Sequence, residues 1–268
     1  MTEYVARPLD TSRPHPARVY DWLLGGKDNY PVDEELGNQL TALEPRAKQL
    51  ATQNRWFMHR AVRKLVGGEG IRQFLDIGTG IPTEPNLHQI AQKTAPESRV
   101  VYVDNDPIVL AHAEALLHGT PEGVTEYVQA DVREPHTILE QARKVLDFDR
   151  PIGLSLIALL HFVPDSEGAH DIVGELVAAL PAGSFLALSN GTADFDPDTI
   201  GRAAEAYKAR GVTVVPRSHA EVSRFFTGLE LLEPGVVSPP EWHPELATGE
   251  PLLESGQVPI YCGVARKP

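Results

Sequence analysis

Gln73-Phe74-Leu75-Asp76-Ile77-Gly78-Thr79-Gly80 is a short apolar run that ends in an acid and breaks into glycines. Phe74, Leu75 and Ile77 favour a buried strand, and the run is too short for a helix of its own. Gly78 and Gly80 allow a sharp turn with no Cβ between backbone and ligand. The residues that follow predict a helix from Thr83 to about Ala95. Thr83 caps it, Pro85 sits in its first turn, and Leu87, Ile90 and Ala91 share one face. Strand, glycine turn and helix N-terminus together form a site for a nucleotide-like ligand.

The turn departs from a dinucleotide fingerprint, which needs a third glycine where this chain has Thr83. Asp76 stands just before the first glycine. A carboxylate there repels a pyrophosphate but suits a ligand carrying an ammonium group. S-adenosylmethionine (SAM) has an ammonium and a sulfonium and no phosphate, so these residues favour SAM over NAD(P).

At 268 residues the chain has room for one large α/β domain with additions, or two small ones. Hydrophobic residues make up 42%, ordinary for a globular protein with a sizeable core. No apolar run approaches the roughly 20 residues of a membrane span. The N-terminus has no apolar signal core. Cys262 is the single cysteine, so no internal disulfide forms, which fits a reducing cytoplasm. A net charge of −13 opposes nucleic acid and anionic membranes as partners.

Residues 1–16 are expected to be a loose, Pro-containing arm, 17–68 a helical lid or cap, and 69–268 the main domain. Tyr20 to Leu24 is a short helix broken by Gly25-Gly26. Its aromatic and amide groups on a glycine hinge suit a lid over bound ligand, with Tyr20 toward the substrate. An ordinary amphipathic helix and turn is the alternative. Helices are expected from Pro31 to Leu43 and from Arg46 to Val66. Asn54 and Arg55 are within reach of a ligand carboxylate, but a solvated face is the favoured reading.

Arg99 to Asp104 is a second buried strand ending in an acid, placed to accept from both ribose hydroxyls of an adenosine. Asn105 is expected at the adenine or ribose edge. Asp106-Pro107 caps and opens the next helix, with Ile108, Leu110, Ala111, Leu116 and Leu117 inside it. A third strand, Thr125 to Gln129, leads to Asp131 and Val132, which suit the adenine amine and a ring nitrogen. Pro135 to Leu146 is another helix. The apolar strand Pro151 to Leu160 leads into His161, whose titration range suits a general base. A helix from Glu167 to Leu180 and a strand from Ser184 to Ser189 follow. Asn190 lies at that strand's polar exit, where it can face substrate. After a helix from Pro197 to Arg210, Ser218 and Glu221 form a capping box. Leu229 to Val237 and Val258 to Ala265 are strands. Trp242 lies in the long loop between them, either lining the acceptor pocket or anchoring the loop. No cluster has convincing metal-ligand spacing.

The alternation implies a doubly wound, mostly parallel sheet with an antiparallel hairpin at one edge. Asp76-Ile77-Gly78-Thr79-Gly80, Asp104 and Asp131 at successive strand ends resemble the class I SAM-dependent methyltransferases. ARVYDWLLGGKDN (17–29), QFLDIGTGIPT (73–83), VVYVDNDP (100–107) and LLHFVPD (159–165) are similar to one actinobacterial group. It was first catalogued as a domain of unknown function and is now called the S-adenosyl methyltransferase family. The resemblance spans about Arg18 to Ala265. It implies a Rossmann-like, seven-stranded sheet with the seventh strand antiparallel. SAM would lie at the carboxyl edge, and S-adenosylhomocysteine would be the product. By position, Asp76 would hold the methionine ammonium, Gly78 and Gly80 would make room for the methionyl part, Asp104 would bind ribose, and Asp131 with Val132 adenine. A local departure is Asn190, where relatives often carry His. The implied activity is methyl transfer to a small-molecule acceptor, with His161 taking the acceptor's proton. A non-catalytic SAM-binding protein and an NAD(P)-dependent oxidoreductase are the alternatives. The acceptor, the methylated atom and the oligomeric state are not written in these motifs.

Overall fold

A computed structural model describes residues 10–109, 119–254 and 258–268. Its centre is a seven-stranded sheet in the order β3-β2-β1-β4-β5-β7-β6. The strands are β1 Gln73–Ile77, β2 Arg99–Asp104, β3 Val124–Gln129, β4 Gly153–Ile157, β5 Phe185–Gly191, β6 Glu230–Leu231 and β7 Ile260–Arg266. β1 to β5 run parallel, and β7 inserts antiparallel between β5 and the two-residue β6. This is the Rossmann-like class I methyltransferase fold, with its antiparallel hairpin at one edge. Because the first five strands are parallel, their carboxyl ends share one edge, and the chain turns there place their polar residues together.

Side chains alternate across β1 and β2, and each face packs its own layer. Leu75, Ile77, Val101 and Val103 enter one apolar cluster, with α5 Pro135–Ala142 and α6 Ala169–Ala179. Phe74, Val100 and Tyr102 enter the other, beneath α3 Ala47–Gly67 and α4 Leu87–Thr94. Asp76 and Asp104 continue that second alternation, so both acids lie on the α3 face at the strand ends. A third, smaller cluster joins α1 Pro16–Leu23 and α2 Pro31–Leu43 to α7 Pro197–Lys208 through Val19, Leu36, Leu40 and Ala206. The N-terminal helices therefore split. The third packs on the sheet, while the first two rest against a helix that follows β5.

Several elements are shorter than the sequence predicts, each for a local reason. The helix expected from Thr83 starts at Leu87, because Asn86 and Gln89 exchange the reciprocal cap and Thr83 donates its N–H to Asn86 instead. The helix after Glu134 stops at Ala142 and continues to Leu146 only as turns. β4 ends at Ile157 because Ala158 takes φ 54°, a left-handed conformation held by its N–H bond to Ser189 Oγ (2.9 Å). Beyond β6, the expected strand survives as one bridge from Val237 to Cys262. The capping box of α8 His219–Arg224 forms as predicted. Asp106 caps the turn opening at Pro107 through the Ile108 N–H (3.1 Å). The expected helical positions Leu110, Ala111, Leu116 and Leu117 lie outside the described residues.

Candidate active site

A cavity of about 580 Å³ opens along the carboxyl edge of the sheet, within the range of small-molecule sites. Asp76, Gly78, Gly80, Asp104, Asn105, Asp131 and Val132 all border it, as do Tyr20 and His161. The glycine turn is tied to β2 and not left loose. Gly78 donates to Val103 O (2.8 Å) and Gly80 to Asp104 Oδ2 (2.8 Å). Gly78 and Gly80 have φ of 75° and 67°, and a Cβ on Gly78 would stand 2.7 Å from Leu159. The left-handed backbone therefore favours glycine at both places.

The three acids occupy different environments. Burial pushes the Asp76 carboxyl above its ordinary value, against the nearby Ser155 hydroxyl, a hydrogen bond from Thr79 Oγ1 (3.0 Å) and the Arg55 charge. Burial also raises Asp104, opposed by the charge of His15 and by the Asp106 and Gly80 N–H groups. Asp131 is less enclosed. Burial raises it too, but the Arg133 N–H, the Asn105 amide and the Arg133 guanidinium win and hold it low. Asp131 thus serves as a turn residue while bordering the cavity, and Asn105 braces it with Nδ2 at 3.1 Å.

α1 is fastened beside Asp104. Pro16 opens the helix and the His15 ring accepts from the Ala17 N–H. Arg18 Nε meets Asp106 Oδ2 at 2.8 Å, and His15 Nδ1 lies 3.2 Å from the same oxygen. Asp33, buried at the start of α2, accepts from the His15 and Tyr30 backbone N–H groups. Tyr20 donates to Ala51 O and accepts from Asn54 Nδ2, both at 3.0 Å, which joins α1 to α3.

Asn54 and Arg55 correct the expectation of a solvated face. Asn54 is fully buried, and both residues border the cavity. Arg55 donates to the carbonyls of Thr83 and Pro85, which fixes it over the loop after the glycine turn. Asn54 Oδ1 and Arg55 Nε have no hydrogen-bond partner among the described residues. Their sequence signal was a polar pair beside Trp56-Phe57 in a helix whose other face is core. Helical periodicity alone does not distinguish a cavity wall from a wet surface.

His161 sits on a 3₁₀ turn, Leu160–Phe162, at the exit of β4. Burial, and then the nearby Arg217 charge, push its imidazole down to about 4. It is neutral at pH 7, as a proton acceptor must be, but less basic than the free side chain on which the sequence reading relied. Arg217, which the sequence reading did not single out, clamps this turn. Its buried guanidinium donates to Leu160 O (2.7 Å), Val163 O (2.8 Å), Asn190 Oδ1 (3.1 Å) and Asp165 Oδ1 (2.6 Å). No local motif announces that role, since its partners lie 27 to 57 residues away.

Two expected substrate contacts are corrected. Asn190 is fully buried within β5, off the cavity wall; its amide bonds Gly191 O and Arg217. Trp242 is also fully buried, edge-on to Phe57 at 5.3 Å, and does not border the cavity. Arg60 holds the adjoining loop through Trp242 O (2.9 Å) and Pro239 O (2.5 Å). Trp242 therefore anchors the loop, the second of the two roles open to it.

Among the described residues, no helix is long and apolar enough to cross a membrane. A family model described as S-adenosyl methyltransferase matches residues 2–268. The structure of a DUF574 family protein from Streptomyces avermitilis is 50% identical, aligned over 97% of this chain and 100% of that one, with a TM-score of 0.92. A candidate methyltransferase from Thermobifida fusca is 38% identical over 96% of each chain, with a TM-score of 0.86. A SAM-dependent methyltransferase from Anabaena variabilis, at 14% identity over 99% of each chain and a TM-score of 0.51, shares the fold. No curated protein matches the chain.

Proposed function

The chain belongs to the S-adenosyl methyltransferase family and is a SAM-dependent methyltransferase. From that premise we propose that Asp76, Asp104 and Asp131, with the Gly78–Gly80 turn, hold SAM for transfer to a small-molecule acceptor. The observation that carries this reading is the convergence of three acidic strand ends on one cavity. Asp76 takes the methionine ammonium, and Arg55, on the wall facing that carboxylate's field, takes the methionine carboxylate. Asp104 keeps acceptor capacity beyond its two backbone bonds and takes the ribose hydroxyls. Asn105, Asp131 and Val132 meet the adenine.

Bound there, SAM supplies a methyl group already activated by its sulfonium. The protein's work is to hold the acceptor, exclude water and give the acceptor's proton a hydrogen-bond partner. His161 is neutral across the physiological range and provides that partner. Arg217 positions it by fixing Leu160 and Val163 on either side. α1 closes the cavity over the glycine turn as a lid pinned to Asp106 by Arg18. The acid surface disfavours nucleic acid as acceptor, and residues 17–30 act as a cover and not a separate recognition module.

Calorimetric titration with SAM, S-adenosylhomocysteine and NADH tests this placement. Binding of both sulfur nucleosides and none of NADH is expected. A folded protein that binds neither, or binds only NADH, overturns it.

A further inference from the structure

The cavity is larger than the acid-rich end accounts for. Its far portion lies beyond β4 and β5, under a roof that α2, α3 and α7 build together. Leu40, Leu50, Ile200, Ala203 and Tyr207 are among its walls. These residues come from three helices and form an apolar enclosure. Charge is nearly absent from it. Glu44 borders the cavity, but Arg46 neutralises it through paired bonds of 2.9 and 3.1 Å. His161, at the junction with the acid-rich end, is neutral at pH 7.

A charged ligand group entering this space would lose its hydration with no opposite charge to meet it. A neutral ring would exchange water for apolar wall. One polar group does await a partner. The Tyr207 hydroxyl has no hydrogen-bond partner among the described residues, and its ring packs edge-on to Phe162 at 5.9 Å. Burial pushes this phenol above its ordinary value, so it stays protonated and can donate as well as accept.

We infer that the space between α2, α3 and α7 is the acceptor chamber, and that it takes a neutral, largely apolar ring compound bearing a hydroxyl that meets Tyr207. This deepens the reading above and rests on the cofactor lying at the acid-rich end.

Three probes with one ring system isolate charge: 2-naphthol, 2-naphthoate and 2-naphthylmethylammonium. Each is titrated at pH 7 into the full chain, with and without saturating S-adenosylhomocysteine. 2-Naphthol is expected to bind at least tenfold more tightly than either charged analogue. Ala203→Trp, which fills the chamber, is expected to abolish naphthol binding and leave S-adenosylhomocysteine affinity within twofold. Tyr207→Phe keeps the ring and is expected to weaken naphthol about three- to tenfold. Equal or tighter binding of either charged analogue overturns the acceptor class. Naphthol binding unaffected by both substitutions overturns the location. A protein that discriminates among the probes but binds no S-adenosylhomocysteine keeps the chamber and sinks the cofactor placement instead.

Discussion

The two ends of the cavity are assembled in opposite ways. At the acid-rich end each polar group arrives at the terminus of its own strand, a few residues from the turn it serves. Asp76 and Thr79, or Asp104 and Asp106, bond across two or three positions. At the far end the wall is made of residues from α2, α3 and α7, and α7 lies far along the chain from the other two. The first end is a property of strand-turn units, and the second of how helices from opposite ends of the chain meet. On the placement proposed above, a few apolar substitutions on the roof change the acceptor without touching the acid-rich end.

That division places Trp242 outside both ends, and its substitution has the greatest consequence for stability. Trp242→Ala removes a fully buried indole and is expected to cost about 3–5 kcal/mol. SAM affinity in the folded fraction should stay within twofold. Chemical denaturation followed by calorimetry checks both, and a large loss of affinity would show that the loop reaches the site.

Asp104→Asn tests the independence of the two ends directly. It retains a side chain able to accept from Gly80 but loses the charge that favours ribose hydroxyls. A loss of about a hundredfold in SAM affinity, roughly 3 kcal/mol, is expected, with 2-naphthol binding unchanged. Parallel loss of both would mean that the ends are coupled through the turn.

His161 lies at the boundary between them. Its folded value near 4 is below the unfolded value of about 6.5. Between these the unfolded chain binds more protons, so stability falls as the pH drops through 6.5 toward 4. From pH 7 to pH 5 this amounts to about 2 kcal/mol from His161. His59, pushed down to about 3 by burial and the charges of Arg55 and Arg63, acts in the same sense. Urea unfolding of His161→Gln at both pH values should show a loss smaller by about 2 kcal/mol. An unchanged loss would mean that His161 is solvated. For the same reason the pH–rate profile should lack an inflection near 6.5 from this residue.

Arg55→Met is the mildest test. It should weaken SAM about tenfold, near 1.4 kcal/mol, and leave naphthol binding as it was. If naphthol weakens as much as SAM, Arg55 belongs to both ends.

Much of the acid-rich end was legible because strand, acid and glycine lie within eight residues of one another, and local geometry is a property of local sequence. β2 was read to its last residue at Asp104, and α2 from Pro31 to Leu43, since Pro, first-turn acids and a terminal acid mark those boundaries physically. Elsewhere the sequence misleads wherever a residue is judged by its neighbours in the chain. The sequence around Arg55 fits a solvated face, because a helix wall over a cavity and one over water carry the same polar pattern. The position of Asn190 at a polar strand exit suits a substrate contact, but its amide oxygen is engaged by Arg217, which arrives from beyond α7. From sequence Trp242 suits pocket and anchor alike, and its packing on the Phe57 ring of α3 decides for the anchor.

By itself the sequence determined the order of strands and helices, the glycines at positive φ and the acids that converge on the cavity. Each depends on backbone conformation and spacing within one strand-turn unit. Only the tertiary structure decided which polar residues face the cavity, how basic His161 is, and that the roof is apolar and uncharged. These depend on burial and on charges brought from distant segments, and neither exists until the helices pack.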